Sequence, residues 1–182
     1  MRRTINAEYA TMSKTMARET LYLETSVISY YTAKPSRDII VAAHQQITWE
    51  WWENSINQYA VLISQLVLDE MSRGDPEAIQ RRLEVVKSFD LLQVTSKVRD
   101  LARLYVKKFT IPPKWQADAI HLAIALVHGA DYLVTWNCSH IANARIMREL
   151  PAINGSEGVP IPTICTPEEI SEGQEDVERS DS

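Results

Sequence analysis

The sequence predicts an α/β fold in which helices pack against a central, mostly parallel sheet. Short apolar runs of strand length recur along the chain, and longer helical segments separate them. Glycine, proline and helix-capping residues stand between the two kinds of segment. The 182 residues, 45% of them hydrophobic, are enough for one domain with its own core. We therefore expect a single domain over residues 20–170.

The first half of the chain predicts two strands and three helices. In order, they are a buried strand from Leu21 to Ile28, a helix from Arg37 to Ile56, a strand from Ala60 to Ser64, a helix from the cap Ser64 to Arg73, and a helix from Asp75 to about Lys87. Tyr30 and Tyr31 fall in the loop after the first strand. Asp75 followed by proline is typical of a helix start, and Gly74 is typical of a helix end. The first strand contains an acid, Glu24, where a core strand is expected to hold none.

The second half of the chain predicts three more strands with helices between them. In order, the segments are a strand from Leu91 to Val94, an amphipathic helix from Ser96 to Phe109, an apolar helix from Ala117 to Val127, a strand from Tyr132 to Thr135, a helix over 139–149, a strand from Pro160 to Cys165 and a final helical turn that begins at Thr166. Ala, Leu and Ile fill nearly every position of the apolar helix, so we expect that helix inside the domain. Gly129 follows this helix, and glycine is common just after the end of a helix.

The two ends of the chain differ from its body in composition. Residues 1–19 lack periodic apolar positions and residues 171–182 are acidic, so we expect a disordered N-terminal extension and a disordered acidic tail. No apolar run approaches the roughly 20 residues that span a bilayer, and no signal peptide is evident. We therefore expect a cytoplasmic protein with no membrane contact, in which Cys138 and Cys165 are free thiols. A net charge of −5 argues against a protein that coats nucleic acid electrostatically.

Four oxygen-bearing side chains stand near the ends of the predicted strands. Asp118 begins the apolar helix, where an isolated buried charge is costly, so it needs a partner. Glu24 lies in the first strand, Glu70 on the helix after the second strand, and Asn137 just after the fourth. In parallel α/β sheets, sites form outside the carboxyl ends of the strands. A set that offers only oxygen favours a hard cation, Mg²⁺ or Mn²⁺, and a divalent ion offsets the repulsion among the acids.

Four segments together resemble the PIN-domain nucleases and, within that family, the VapC-like toxins of bacterial toxin–antitoxin pairs. The segments are LETSVISYY at 23–31, SQLVLDEMSRGDP at 64–76, ADAIHLAIA at 117–125 and DYLVTWNCSHIANA at 131–144. The resemblance covers about residues 20–170. It implies a PIN-like α/β/α sandwich with the activity of a magnesium-dependent endoribonuclease, a hydrolase that binds and cuts RNA. It also implies a cognate antitoxin as partner and a homodimer.

The resemblance further implies which residues form the site. It places four metal-binding positions, of which the first three are also catalytic, at Glu24, Glu70, Asp118 and Asn137. Groups that position substrate or water are expected at Ser26, Thr135 and Asn137. The family usually has Asp where this chain has Glu24. It also often has Asp where this chain has Asn137, and the loss of that charge favours one metal over two. Our hypothesis is that Glu24 and Asp118 hold the cation, while Glu70 orients the attacking water or takes its proton.

Several of these residues have alternative interpretations. Asp69 could be the ligand in place of its neighbour Glu70, and Asn137 could be only a turn residue. His121 lies three residues after Asp118 and could contact the site, although a core histidine with a satisfied hydrogen bond is the commoner case. Three aromatic residues lie on the helix predicted from Arg37 to Ile56, namely Trp49, Trp51 and Trp52. They suggest either a surface that stacks on nucleic-acid bases or ordinary core. Four groups suggest either phosphate contacts or ordinary structure, namely Arg37, Arg73, Lys114 and His140.

The alternative function is that of a catalytically weak PIN-like domain, which acts as an RNA- or protein-binding module. Asn137 in place of an acid favours this alternative, whereas the three acids favour the enzyme. A nuclease of RNA processing or repair, without an antitoxin, is a third possibility.

Overall fold

The computed structural model describes residues 18–157 and 160–171 and contains one five-stranded sheet. The strands are β1 (Thr20–Leu23), β2 (Ala60–Ser64), β3 (Asp90–Leu92), β4 (Tyr132–Val134) and β5 (Thr163–Cys165). Their order across the sheet is β3-β2-β1-β4-β5, and every neighbouring pair is parallel. The predicted α/β class with a mostly parallel sheet is therefore confirmed.

Seven helices connect and cover these strands within the described residues. They are α1 (Thr25–Thr32), α2 (Ile39–Ser55), α3 (Gln65–Met71), α4 (Pro76–Val86), α5 (Ser96–Lys108), α6 (Gln116–Val127) and α7 (Ala144–Glu157). Two short 3₁₀ turns lie at Ile56–Gln58 and Pro113–Trp115, and a last helical turn covers residues 167–171. None of the described helices is long and apolar enough to cross a bilayer.

The strand order creates a switch point between β1 and β4. The chain moves outward in one direction from β1 through β2 to β3, then returns and moves the other way through β4 to β5. Right-handed crossovers therefore put the two sets of helices on opposite faces of the sheet, which gives a three-layer sandwich. In such sheets the crevice between the diverging strands, at their carboxyl ends, is the usual position of a functional site.

The predicted strand from Leu21 to Ile28 is wrong in its second half. The strand ends at Leu23, and α1 begins at Thr25 with no loop between them. Glu24 has extended backbone angles and its carboxylate accepts a hydrogen bond from the backbone N–H of Ser26, so it is the helix cap. Val27 and Ile28 are fully buried in α1, and a short buried helix has the same apolar pattern as a buried strand. Tyr30 and Tyr31 accordingly lie in α1 rather than in a loop.

The predicted helix over 139–149 is also wrong in its bounds, because α7 spans Ala144–Glu157. Residues 138–143 form turns, and the side chain of Asn143 then caps α7 through the backbone N–H of Arg145 at 3.0 Å. The helix continues past Pro151, whereas the prediction ended it at residue 149. Asn154, fully buried beyond the proline, accepts a hydrogen bond from the Tyr105 hydroxyl at 2.6 Å, and this contact holds the second half of α7 on α5.

The other predicted elements are present, with ends shifted by up to three residues. Ser64 and Asp75 cap α3 and α4 as expected, and Gly74 and Gly129 have φ values of 101° and 66°, which favour glycine. The apolar helix α6 lies in the core. Trp51 and Trp52 are buried, which excludes them as a stacking surface. Residues 1–17 and 172–182, which make up most of the predicted extension and tail, lie outside the described residues.

Candidate metal site

The predicted acids lie at the carboxyl edge of the sheet, around the switch point. Glu24 directly follows β1, and its backbone N–H donates to the Val134 carbonyl of β4 at 3.1 Å. Because Glu24 is both the last sheet-bonded residue and the cap of α1, its side chain has little freedom. It is also only 6% exposed, although it is an acid. A buried carboxylate of this kind requires hydrogen-bond donors or a cation.

Two hydroxyl residues provide donors to Glu24. The Ser26 hydroxyl and the Thr135 hydroxyl both donate to Oε2 of Glu24, the latter at 2.8 Å. The Ser26 oxygen in turn accepts the backbone N–H of Trp136 at 2.9 Å. Among the described residues, every hydrogen bond to this carboxylate goes to Oε2. Oε1 is therefore left for a ligand.

Glu70, in the last turn of α3, faces Glu24 across the edge of the sheet. Its Oε2 accepts the Thr25 hydroxyl and lies 3.1 Å from Nε2 of His121. Burial acts to raise the pKa of Glu70, but the hydrogen bonds and charges of its neighbours outweigh burial and hold that pKa below its ordinary value. Asp69, the alternative ligand, is exposed and accepts from Gln65 at 2.8 Å, so its side chain is engaged elsewhere.

His121 completes a group of three ligand-type side chains with Glu24 and Glu70, one atom from each lying within 4.8 Å of the others. Its Nδ1 lies 2.8 Å from the Tyr22 hydroxyl, which lies 2.8 Å from the Ser64 hydroxyl. Both ring nitrogens are thus already bonded to protein groups. When Nε2 carries the proton, it donates to Glu70 and the Tyr22 hydroxyl donates to Nδ1. His121 is a core histidine with satisfied hydrogen bonds, and one of those bonds orients Glu70.

Asp118, in the first turn of α6, lies one helical turn before His121 and outside the closest group of three. The Asn137 side chain donates to its Oδ1 at 3.0 Å, and the buried Oδ2 has no hydrogen-bond partner among the described residues. Burial raises the pKa of Asp118; His140 and His121 oppose this rise, while Glu24 and Glu70 add to it. Both glutamates therefore act on the aspartate electrostatically, and its buried Oδ2 is not compensated by a protein donor.

Asn137 has both of its amide atoms engaged within the protein. Its nitrogen donates to Asp118, and its oxygen accepts the backbone N–H of His140 at 3.1 Å. Its own backbone N–H donates to the Thr135 hydroxyl at 2.9 Å. Asn137 therefore links Asp118 to the residues around Glu24, and in this arrangement its oxygen faces the turn after β4.

The three acids share one pattern. Each has one carboxylate oxygen bound by protein donors and a second oxygen without such a donor. Three acids at one crevice repel one another unless positive charge is present. Carboxylate oxygens are the ligands that Mg²⁺ and Mn²⁺ prefer. The donor set and the unpartnered Oδ2 of Asp118 therefore fit a hard divalent cation.

Solved structures support the fold. The VapC20 toxin of Mycobacterium tuberculosis, described as cleaving the sarcin–ricin loop, matches with a TM-score of 0.54 and 15% identity over 68% of this chain and 95% of that chain. VapBC2 from Rickettsia felis, bound to a DNA fragment from its promoter, matches with a TM-score of 0.51 and 16% identity over 81% and 98%. The fold is PIN-like. A toxin–antitoxin complex from Klebsiella pneumoniae matches with a TM-score of 0.50 and 15% identity over 69% and 93%. No protein-family model matches the sequence, and no curated protein does either.

The PIN-like fold confirms the architecture that the sequence resemblance implies. Two features of the site were missed by sequence reasoning. The Thr25 hydroxyl donates a hydrogen bond to Glu70. The only indication of this residue in the sequence was that it lies in the segment LETSVISYY, which carries part of the family resemblance. His121 was identified as a possible contact from its spacing of three residues after Asp118, but its bond to Glu70 was not foreseen.

Proposed function

We propose that this chain is a metal-dependent endoribonuclease that hydrolyses RNA phosphodiester bonds and acts as the toxin of a toxin–antitoxin pair. The observation that carries the proposal is the pattern of oxygens at the switch point. Glu24, Glu70 and Asp118 each keep one oxygen without a protein donor. Asp118 decides the matter, because its Oδ2 is buried without a donor, whereas an acid that only stabilised the fold would have that oxygen satisfied or exposed to solvent.

A single Mg²⁺ or Mn²⁺ is the cofactor that these oxygens suit. Glu24, Glu70 and Asp118 would hold it, and Asn137 would join them only if its amide group turned over. When bound, the cation would neutralise charge on the phosphate and lower the pKa of water. The 4.8 Å group also contains a histidine nitrogen, but that nitrogen is occupied by Glu70. The set available to the cation is therefore one of oxygens.

The protein groups around the acids have separate roles. Thr25 and His121 fix the orientation of the Glu70 carboxylate and keep it ionised, because they lower its pKa. A lowered pKa makes Glu70 a weak proton acceptor, so orienting the attacking water is its better role. Ser26 and Thr135 hold Glu24 through hydrogen bonds. Together with Asn137, they would position water or phosphate in the crevice.

The proposed biological role is supported by similarity of fold to the solved structures and not by sequence identity to them. Two of the similar structures are VapBC2 and a toxin–antitoxin complex, so a cognate antitoxin is the partner we propose for this chain. We also propose a homodimer, which the resemblance in the sequence implies, and a cytoplasmic location. Expression of the wild-type chain in a bacterial host is expected to arrest growth, whereas the Asp118→Asn variant is expected to be tolerated.

Cleavage of labelled single-stranded RNA, with Mg²⁺ and then with EDTA, tests the activity directly. We expect cleavage with Mg²⁺, loss with EDTA, and loss in the Glu70→Gln variant. Asp69→Asn is the matched control, because it removes an acid charge from the neighbouring, solvent-facing position. Equal cleavage by Glu70→Gln and the wild type would refute the assigned site. RNA binding without any cleavage would instead favour the alternative of a binding module.

A further inference from the structure

A second group of polar and aromatic side chains lies beside the acids, at the start of α6. Trp115 is the last residue of the Pro113–Trp115 turn, and its ring lies against His140, with ring centroids 3.9 Å apart. The Lys114 ammonium lies 4.7 Å from the centroid of the Trp115 ring. We call these three residues the basic cluster. It brings together the segment before α6 and the turn after β4.

The basic cluster is tied directly to the acids. The backbone N–H of His140 donates to Asn137, and the Asn137 amide donates to Asp118. Two hydrogen bonds therefore separate the cluster from an assigned cation ligand. The charge of His140 also acts to lower the pKa of Asp118, against the dominant effect of burial, which agrees with its closeness to that carboxylate.

The side-chain nitrogens of Lys114 and His140 have no hydrogen-bond partner among the described residues of the protein. Among residues 18–157 and 160–171, the Lys114 ammonium and the His140 ring nitrogens make no hydrogen bond and no ion pair. Lys114 is exposed, and His140 is partly exposed. Trp115 packs against both side chains, so it restricts where their nitrogens can lie. Two positioned donors thus face solvent at the edge of an acid-lined crevice.

RNA needs such donors at this place. Its backbone carries a negative charge at every nucleotide, and a crevice lined by three acids repels that backbone. A cation held by the acids would offset the charge of the phosphate that is cut, but not that of the next one. Lysine and histidine nitrogens are common donors to phosphate oxygens.

We propose that Lys114 and His140 form a phosphate-binding subsite for the RNA phosphodiester next to the one that is cut, with Trp115 as a positioning residue. This inference rests on the proposed nuclease function, because it takes the acids as the place of cleavage. A purely structural role for the cluster, in which it only fastens the turn after β4 to α6, is the alternative that an experiment must exclude.

The test measures RNA affinity without cleavage, in the full chain carrying Asp118→Asn. The probe is a fluorescein-labelled single-stranded RNA of about a dozen nucleotides, and anisotropy gives Kd at several salt concentrations. Lys114→Ala is expected to weaken binding roughly fivefold or more and to reduce the slope of log affinity against log salt by about 0.7. Lys114→Arg should retain most of the affinity. His140→Ala is expected to weaken binding at every salt concentration.

Lys87→Ala is the matched control, since Lys87 is an exposed lysine just before β3, at the opposite edge of the sheet. Thermal unfolding of each variant separates lost binding from lost folding. Equal affinity and equal salt slope for Lys114→Ala and Lys87→Ala would overturn the subsite while leaving the nuclease proposal intact. If the wild-type chain neither cuts nor binds RNA, the nuclease proposal itself fails and the subsite fails with it.

Discussion

The side-chain amide of Asn137 donates to the carboxylate of Asp118 across 3.0 Å, and so joins the turn after β4 to the start of α6. The two residues are 19 positions apart along the chain and belong to different elements. Replacing that amide with a carboxylate would set two like charges against each other in a crevice that already holds two glutamates. The contact therefore satisfies one oxygen of Asp118 without adding charge to the site, and it gives the first of four predictions.

Asn137→Asp is expected to destabilise the metal-free protein, by roughly 1–3 kcal/mol, because a donor is replaced by a like charge beside Asp118. Thermal unfolding in EDTA measures this loss. Added Mg²⁺ is expected to recover more stability in the variant than in the wild type, because the variant has one more acid for the cation to bind. Asn57→Asp is the control, since Asn57 is exposed and its side chain makes no hydrogen bond among the described residues. An Asn137→Asp protein as stable as the wild type in EDTA would contradict the prediction.

Asp118→Asn is expected to abolish cleavage and to stabilise the metal-free protein at neutral pH. The pKa of Asp118 is raised in the folded state, chiefly by burial, so its ionised form disfavours folding. That penalty is present at a pH above the folded-state pKa and disappears below the unfolded-state pKa, where the acid is protonated in both states. The gain in stability should therefore shrink as the pH falls into the acidic range. Urea unfolding of both proteins at neutral and acidic pH measures the gain in unfolding free energy. A gain that increases as the pH falls would contradict a raised pKa for Asp118.

Tyr22→Phe is expected to cost about 1–3 kcal/mol of unfolding free energy, because it removes the hydroxyl between His121 and Ser64 and leaves buried Nδ1 of His121 without a partner. Tyr30→Phe is the matched control, since the Tyr30 hydroxyl makes no hydrogen bond among the described residues and should be nearly silent. Urea denaturation compares the two variants. RNA cleavage by Tyr22→Phe should also fall, because His121 orients Glu70. A loss of stability without any loss of cleavage would contradict this role of His121.

Native protein is expected to react with a thiol reagent at one cysteine and denatured protein at two. Cys138 is exposed, whereas Cys165 is buried in β5, where burial raises its pKa to about 12. The Cys165 thiol is therefore both covered and protonated at neutral pH, and only the thiolate reacts. Absorbance after addition of a disulfide reagent, with and without guanidinium, counts the thiols. The Cys138→Ser variant should show no rapid reaction in the native state.

The order of helices and strands could be predicted because the caps and the apolar segments are local signals. Ser64 and Asp75 mark the starts of α3 and α4 by residue type, and α6 is buried because it has no polar side. The join between β1 and α1 could not be predicted in the same way. Val27 and Ile28 extend the apolar run of the strand, and only the capping role of Glu24 divides the two elements.

The closeness of Glu24 and Glu70 could be predicted from the sequence, whereas the hydrogen bonds that hold their carboxylates could not. Parallel strands bring their carboxyl ends to one edge, so residues after β1 and β4 were expected to meet. The bonds that orient Glu70 depend on Tyr22 and His121, which are 99 residues apart and have no shared signal along the chain. The engagement of both Asn137 amide atoms likewise depends on a turn whose shape the residues alone did not indicate.

The central position of β1 governs when the candidate site can form during synthesis of the chain. This strand pairs on one side with β2 and on the other with β4, more than 100 residues later. A nascent chain that has not yet exposed Tyr132 to Asn137 outside the ribosome has an open flank beside Leu21 and lacks the hydroxyl of Thr135 that holds Glu24. The full set of contacts around Glu24 can therefore form only after β4 has been synthesised.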